Sequence, residues 1–424
     1  MDQSLLKRVA IQSLALMLGV ITSSYALEQY KTVEISASID QVIIADIPGK
    51  VQGVESVDKE LALNLEPVAT TGSVNMATSL NELKSQVSPE LINQLSNNYL
   101  VIKKPSSDHI TITLEDIYLK KSIRLSMTGA FKDIPDSSMV MRVRGEDYFL
   151  GEPVYNEVIT QETDEELGTV KEVITKNYGL DLSHNIKFTN LQDAKNGLAG
   201  IEMLIELDSV YAHTIYEDDN YYFIDLQKPS EVYEKILVID PGHGGKDAGA
   251  LSKDEKYYEK NINLGIVLAL KELLDKENIK VYYTRTNDDT VFLRPRVTLA
   301  NEVDCDYFIS IHCNSNEVTS PNGTEVLFFD TEINGVSNKK LAGLFSEELG
   351  KTVELSKRGV VRMNKKDIFI MEKSKVPMVL IEIGYLSNSK DLNYLIDSKN
   401  QKIVAESIFG GIMRAYNELP STRQ

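Results

Sequence analysis

Three residues suited to acid–base or metal chemistry each follow an apolar run in this sequence. His243 follows the letters KILVIDPG, His312 follows DYFISI and Glu382 follows VPMVLI. Runs of this kind, bounded by proline or glycine, are typical of core strands in parallel sheets. Open α/β sheets carry their sites at the carboxyl ends of strands, so we expect the three side chains at one sheet edge. One histidine after a strand is more often structural, but the repeated pattern favours a shared site.

A fourth candidate, Glu259, stands at the start of a predicted helix. The apolar residues of that helix share one face: Ile262, Ile266, Leu270 and Leu273. In a right-handed crossover the helix starts near the carboxyl end of the preceding strand, which lets Glu259 reach His243. A first-turn acid is also favoured by the helix dipole alone, so that structural role stays open. Together, two histidines and two carboxylates are the components of a catalytic zinc site with an open coordination position.

The segment from about Lys235 to Leu419 resembles the zinc-dependent N-acetylmuramoyl-L-alanine amidases of the type 3 family. The stretches that carry the resemblance are IDPGHGG around His243, the helix start at Glu259, TR at 284–285, LRPR at 293–296 with AN at 300–301, SIHCN around His312, and LIEIGYLSN around Glu382. The resemblance implies that His243, Glu259 and His312 bind zinc. It also implies that Glu382 is the catalytic glutamate.

The function implied by this resemblance is the hydrolysis of peptidoglycan. The bond would be the amide between the lactyl group of N-acetylmuramic acid and the L-alanine of the stem peptide. Zinc would polarise the carbonyl and acidify a water molecule, and Glu382 would pass the proton from that water to the leaving amine. Asn314 and Arg296 are candidates for orienting the substrate or the ligands, and structural roles for both stay open.

Two other functions are compatible with the same residues. A zinc carboxypeptidase would use the same metal to cut a peptide bond within the stem. A wall-binding protein with a silent amidase domain would need no chemistry at all. The intact set of four site residues speaks against silence, and the amine released from purified wall would distinguish the two enzymes.

The pattern after residue 235 predicts one α/β catalytic domain that ends near residue 419. Apolar runs alternate there with predicted helices, which indicates a doubly wound sheet with helices on its faces. Residues 228–233 are interpreted as the linker that precedes this domain.

Residues 27–230 show short period-two runs broken by turn residues, which indicate a β-rich, sandwich-like region with one helix near residues 79–95. The layout of strands near its end is similar to that of the wall-targeting modules called AMIN domains. We therefore expect a wall-targeting region, built from one or two modules. The histidines of this region are interpreted as surface or packing residues: His109, His184 and His213.

Length and charge narrow the function further. With 424 residues and a net charge of −18, the chain is long enough for two or three domains and too acidic to bind nucleic acid. Because a polyanionic wall polymer would also be repelled on average, recognition of peptidoglycan should rest on the site and on local patches. The sequence does not predict an oligomeric state.

Residues 1–26 are predicted to form an export signal. Lys7 and Arg8 precede an apolar run from Val9 to Ile21, and Ser24-Tyr25-Ala26 fits a cleavage site. An uncleaved anchor, which would hold the protein at the membrane, is the alternative. Either outcome predicts an exported protein of the cell envelope or the extracellular space.

The two cysteines are expected to be free thiols. Cys305 and Cys313 flank the strand that ends at His312. Eight extended residues separate their Cα atoms by roughly 26 Å, far beyond the reach of a disulfide.

Overall fold

The computed structural model describes residues 76–105, 107–131, 139–150, 157–164, 169–177, 186–192, 199–364 and 367–422. The predicted export signal and the predicted strands before residue 76 lie outside the described residues, as do the side chain of His109 and all of His184. None of the helices in the described ranges has both the length and the hydropathy needed to cross a membrane.

The first part of the described chain is rich in β-structure, as predicted. It contains the helices α1 (Leu80–Gln86) and α2 (Pro89–Ile92) and the strands β1 (Asn98–Lys103), β2 (Ser107–Ile117), β3 (Ser122–Phe131), β4 (Val140–Arg144), β5 (Asp147–Leu150), β6 (Glu157–Asp164), β7 (Thr169–Asn177), β8 (Ile186–Gln192), β9 (Ala199–Glu206), β10 (Ala212–Glu217) and β11 (Tyr221–Gln227), followed by the short helix α3 (Pro229–Val232). The helix predicted near residues 79–95 is interrupted, because Ser88 caps a second helix whose first residue is Pro89.

The strands of this part form two antiparallel sheets that share one core. The strand orders are β10-β11-β1-β4-β5 and β2-β3-β9-β8-β7-β6. Leu100 and Ile224 of the first sheet pack in one apolar cluster with Leu125 and Met203 of the second. The arrangement is therefore sandwich-like, with α1 and α2 packed on the outer face of the first sheet.

The second part alternates strands and helices, as the sequence predicted. Its elements are β12 (Ile236–Pro241), α4 (Glu259–Leu274), β13 (Lys280–Tyr283), α5 (Leu293–Glu302), β14 (Tyr307–Asn314), β15 (Thr324–Phe328), β16 (Glu332–Ile333), β17 (Val336–Ser337), α6 (Asn338–Thr352), β18 (Lys357–Arg362), α7 (Phe369–Lys373), β19 (Met378–Tyr385), α8 (Ser389–Leu395) and α9 (Ser398–Glu418). Alternate residues of β12 face opposite sides of the sheet, so Leu237 packs with α4, α6 and α9, and Val238 packs with α5 and α7. The doubly wound α/β fold is confirmed.

The six-stranded sheet has the order β13-β12-β14-β19-β15-β18 and is mixed. Strands β13, β12, β14 and β19 run parallel, whereas β15 pairs antiparallel with β19 and parallel with β18. Because of this reversal, the amino ends of β15 and β18 lie at the same edge as the carboxyl ends of the other four strands. Side chains from all of these strand ends can therefore contribute to one site.

The two parts of the chain contact each other at Tyr118, in a 3₁₀ turn between β2 and β3. Its hydroxyl donates to the carbonyl oxygen of Tyr283 at 2.7 Å and accepts from the amide of Tyr283 at 3.1 Å. Its ring packs edge-on against Tyr282, with centroids 5.1 Å apart. An ion pair of 2.5 Å between Lys121 and Glu302 adds to this contact. The β-rich region is thus docked along strand β13 and helix α5.

Candidate active site

His243 lies in a tight turn after β12, and a buried arginine holds that turn. Arg296 donates from Nη1 to Asp240 at 2.5 Å and to the carbonyl of Pro241 at 2.8 Å, and from Nη2 to the carbonyl of His243 at 2.7 Å. The Arg296 residue is only 2% exposed. Arg296 therefore holds the histidine turn from the protein interior. Of its two predicted roles, this favours the structural role over contact with the substrate.

The backbone of this turn is strained. His243 has a φ of 62°, a conformation that non-glycine residues seldom adopt. Such strain persists only where the surroundings enforce it, and here the contacts of Arg296 do so. Gly242 leaves room for the imidazole ring of His312, because a Cβ at position 242 would lie 2.1 Å from Cε1 of that ring.

The structure brings together the three residues predicted as metal ligands. Nε2 of His243 lies 3.2 Å from Oε2 of Glu259, and Nδ1 of His312 lies 2.9 Å from Oε1 of the same carboxylate. One ligand atom from each residue fits within 4.8 Å of the others. The two imidazole rings are nearly perpendicular, with centroids 4.9 Å apart. Three side chains from two strand ends and one helix start thus converge on one point.

Glu259 is held as a carboxylate by its surroundings. Its oxygens accept backbone hydrogen bonds from Ala250 at 2.8 Å and Cys313 at 3.1 Å, and a side-chain bond from Asn263 at 3.2 Å. Burial by itself raises the pKa of Glu259, but the hydrogen bonds with His243 and His312 outweigh it and hold the pKa well below its usual range. The carboxylate is therefore charged at any pH near neutrality.

Asp247 completes the surroundings of His243, and it was not identified from the sequence. Its Oδ2 lies 2.8 Å from Nδ1 of His243, on the far side of the ring from Glu259. A carboxylate in this position fixes the tautomer and leaves Nε2 free to bind a metal. The available signal was an acid four residues after a histidine in a glycine-rich turn.

The charge balance around His243 favours a cation. Burial lowers the pKa of His243, but the hydrogen bonds and charges of Glu259 and Asp247 outweigh it and raise the pKa to about 9. A metal ion bound at Nε2 would take the place of the proton that faces Glu259, while Nδ1–H continues to donate to Asp247. Nitrogen and carboxylate donors in a set of three are the ligands that catalytic zinc prefers.

Glu382 stands beside His312 in the sheet. The two residues are register partners on β14 and β19, so their side chains share one face. Its Oε2 is buried and has no hydrogen-bond partner among the residues that the structure describes. Burial raises the pKa of Glu382 to about 7, assisted by the charges of Glu259 and Glu325 and opposed by that of His312. A carboxyl group with a pKa near neutrality is suited to both take up and release a proton.

In the part of the chain that the structure describes, Asn314 makes no side-chain hydrogen bond to the three candidate ligands. Its Nδ2 donates to Oε1 of Glu325 at 2.8 Å, and the hydroxyl of Tyr385 donates to the same atom at 3.1 Å. The other oxygen of Glu325 accepts from Nε of Arg358 at 2.8 Å. Neither Glu325 nor Arg358 was identified from the sequence, because nothing in the residue pattern indicated that β15 and β18 run in the reverse direction.

The remaining predicted residues have packing roles. Cys305 and Cys313 are buried and form no disulfide, as expected. His213 is buried, with its Nδ1 4.0 Å from Asp116 of β2, and burial and the charge of Lys280 lower its pKa to about 4. On the predicted face of α4, Leu274 is buried in place of Leu273.

Comparisons with known proteins identify the family to which the second part of the chain is similar. The sequence profile of the family described as N-acetylmuramoyl-L-alanine amidase, Amidase_3, matches residues 237–414. YqiI of Bacillus subtilis (strain 168) is 32% identical over 192 residues, which cover 45% of this chain and 90% of that protein. The germination-specific N-acetylmuramoyl-L-alanine amidase of the same organism is 31% identical over 198 residues, which cover 43% of this chain and 81% of that enzyme.

The amidase LytC, also of Bacillus subtilis (strain 168), is 30% identical over 190 residues, which cover 45% of this chain and 37% of LytC. The match to the family profile lies wholly within the second part of the chain. The family, the enzyme class and the peptidoglycan substrate predicted from the motifs are confirmed. The chain belongs to the family of N-acetylmuramoyl-L-alanine amidases.

Proposed function

We propose that this amidase binds zinc through His243, Glu259 and His312 and uses Glu382 to transfer protons. The observation that carries the proposal is the convergence of the three ligand atoms within 4.8 Å, one strand away from the buried and unpaired oxygen of Glu382. The substrate bond that fits the family is the amide between the lactyl group of N-acetylmuramic acid and L-alanine.

The chemistry that zinc supplies when bound is that of a Lewis acid, which polarises a carbonyl group and lowers the pKa of water. Asp247 holds the imidazole of His243 in the tautomer that presents Nε2 to the site. Arg296 fixes the backbone of the same turn, so that the histidine needs no rearrangement to act as a ligand.

Glu382 performs the proton transfers in this proposal. Its carboxylate takes a proton from the attacking water as the new bond to the carbonyl carbon forms. The same group then gives that proton to the alanine nitrogen as the amide bond breaks. A pKa of about 7 lets one side chain act as base and then as acid near neutral pH.

Analysis of the amine released from purified peptidoglycan tests the proposed bond. The full chain loaded with zinc should release free L-alanine amino termini. Release of any other amine, such as one within the stem peptide, would favour the carboxypeptidase alternative. No release of any amine would favour the silent wall-binding alternative.

We further propose that the β-rich region binds the wall and that the protein acts in the cell envelope or outside the cell. One support is the sandwich-like fold of this region. The other is YqiI, because 45% of this chain matches 90% of that protein, which leaves the β-rich region as an addition to the amidase domain. A shortened protein that starts near Lys235 should therefore cleave soluble wall fragments but sediment less with intact wall than the full chain does. Equal sedimentation of the two proteins would contradict the targeting role.

A further inference from the structure

The active-site edge of the sheet carries a row of polar side chains that extends beyond the catalytic pair. His312 on β14 is in register with Glu382 on β19, which is in register with Glu325 on β15. The next strand in the row is β18, and there the pairing changes. Thr324 pairs with Lys357 but Glu325 pairs with Gly359, so Arg358 is an extra, unpaired residue of a β-bulge.

A bulge of this kind changes the direction of a side chain, and bulges are frequent next to active sites. Gly359 supports it with a φ of 88°, a conformation that a residue with a side chain seldom adopts. As a result, Arg358 is directed at Glu325, and its Nε lies 2.8 Å from Oε2 of that residue. Its guanidinium carbon lies 5.4 Å from the centre of the Tyr385 ring. The Arg358 side chain is thus fixed at two points.

These contacts leave the outer part of the guanidinium available. Within the described chain, Nε is the only side-chain atom of Arg358 in a hydrogen bond, and the side chain is 42% exposed. The two terminal nitrogens of a fixed guanidinium present parallel donors that match a carboxylate. Glu325 is buried and accepts hydrogen bonds from Asn314, Tyr385 and Arg358, so it is a fixed partner for the arginine. We interpret Glu325 as the residue that positions this arginine.

We propose that Arg358 binds the first free carboxylate of the stem peptide beyond the scissile amide, and so makes the enzyme selective for acidic over amidated stems. This inference rests on the proposed amidase function. The dimensions fit. Two strand spacings place the Cα of Arg358 about 10 Å from that of Glu382. In an extended peptide, a carboxylate on the residue after the alanine lies about 7 to 8 Å from the scissile carbonyl carbon.

Two synthetic muramyl peptides test the proposal. They are identical except that the residue after L-alanine carries either a free carboxylate or a carboxamide. With the full, zinc-loaded chain, we expect kcat/KM to be roughly 10- to 100-fold higher for the acid, the range that one charge-assisted contact gives. Arg358→Gln should remove this preference by lowering kcat/KM for the acid only. Arg358→Lys, which keeps the charge but lacks the paired donors, should restore part of it.

Arg362 provides a matched control on the same strand. It is 69% exposed in its side chain and contacts Asp330 at 3.5 Å, four residues further from the site edge. Arg362→Gln should leave the preference unchanged. Zinc content of each variant, measured by elemental analysis, shows that the site is intact.

Three results would overturn the inference. One is an equal loss on both substrates with Arg358→Gln, and another is a wild-type enzyme without preference. The third is that the Arg358→Gln variant prefers the acidic peptide again at another pH. That result would mean that Arg358 acts only by changing the pKa of Glu382. These outcomes differ from a failure of the proposed function, in which the wild-type chain would cleave neither peptide at the lactyl–alanine bond.

Discussion

Replacing Glu382 with glutamine should strongly reduce activity and stabilise the zinc-free protein. Burial raises the pKa of this group from 4.5 to about 7, and one pKa unit corresponds to about 1.36 kcal/mol. The ionised side chain therefore lowers the free energy of unfolding by about 3 kcal/mol. Because the folded pKa lies above the unfolded value, this penalty is absent below pH 4.5, grows up to pH 7 and is complete above it.

Glutamine has nearly the same shape and does not ionise, so Glu382→Gln should carry no such penalty. In denaturant unfolding of chelator-treated protein, the variant and the wild type should be equally stable near pH 4. Near pH 8 the variant should be more stable by about 3 kcal/mol. With zinc restored, the variant should keep its metal and lose roughly 10² to 10⁴ in rate, towards the upper end because one group serves as base and acid.

The neighbouring residue on β15 supplies the control. Glu325 accepts three hydrogen bonds, from Asn314, Tyr385 and Arg358. Glu325→Gln should therefore destabilise the protein by roughly 1 to 3 kcal/mol, the opposite sign to Glu382→Gln. If Glu382→Gln destabilises the protein at pH 8, or if its stability difference from the wild type does not depend on pH, then Glu382 is not the unpaired, buried acid described above.

Three further substitutions address the metal site, each checked by a zinc measurement. Glu259→Ala should lower zinc occupancy after dialysis and lose activity through that loss, and a variant that kept its zinc while Glu382→Gln lost it would reverse the two roles. Asp247→Asn should weaken zinc binding roughly 10- to 100-fold in competition with a chromogenic chelator, and an unchanged affinity would argue against the support of His243 by Asp247. Gly242→Ala should displace the ring of His312, because the new Cβ would lie 2.1 Å from it, and full zinc occupancy would show that the strands can separate at no cost.

The catalytic half of the fold was predictable because its strands are buried on both faces. The sequences of such strands are unbroken apolar runs. A polar residue directly after such a run is therefore easily recognised as a candidate site residue. His243, His312 and Glu382 were found in this way, and Glu259 was found from the handedness of the crossover. Their convergence depends on strand order, which the motifs do not encode but the parallel sheet imposes.

The rest of the site was hidden by features that are not local in sequence. Arg358 lies on a strand whose residues are exposed or half-buried. No apolar run in the sequence therefore indicated that a strand, and a site residue, lay there. Its relation to Glu325 arises from a bulge, for which Gly359 is the only local signal, and from a reversed pair of strands that has no residue signature here. Arg296 appeared as a candidate for substrate contact, since burial of an arginine that donates to backbone carbonyls cannot be read from a motif.

The hydroxyl of Tyr118 also affects how the enzyme behaves when its parts are separated. It occupies the amide and carbonyl of Tyr283, which face away from β12 on the last strand of the sheet. An open strand of this kind is a template for pairing with another chain, so one side chain of the β-rich region shields the catalytic sheet from self-association. A protease that removed the β-rich region would release a catalytic unit prone to form dimers or aggregates along β13. A freed catalytic unit would then lose activity faster at a higher concentration.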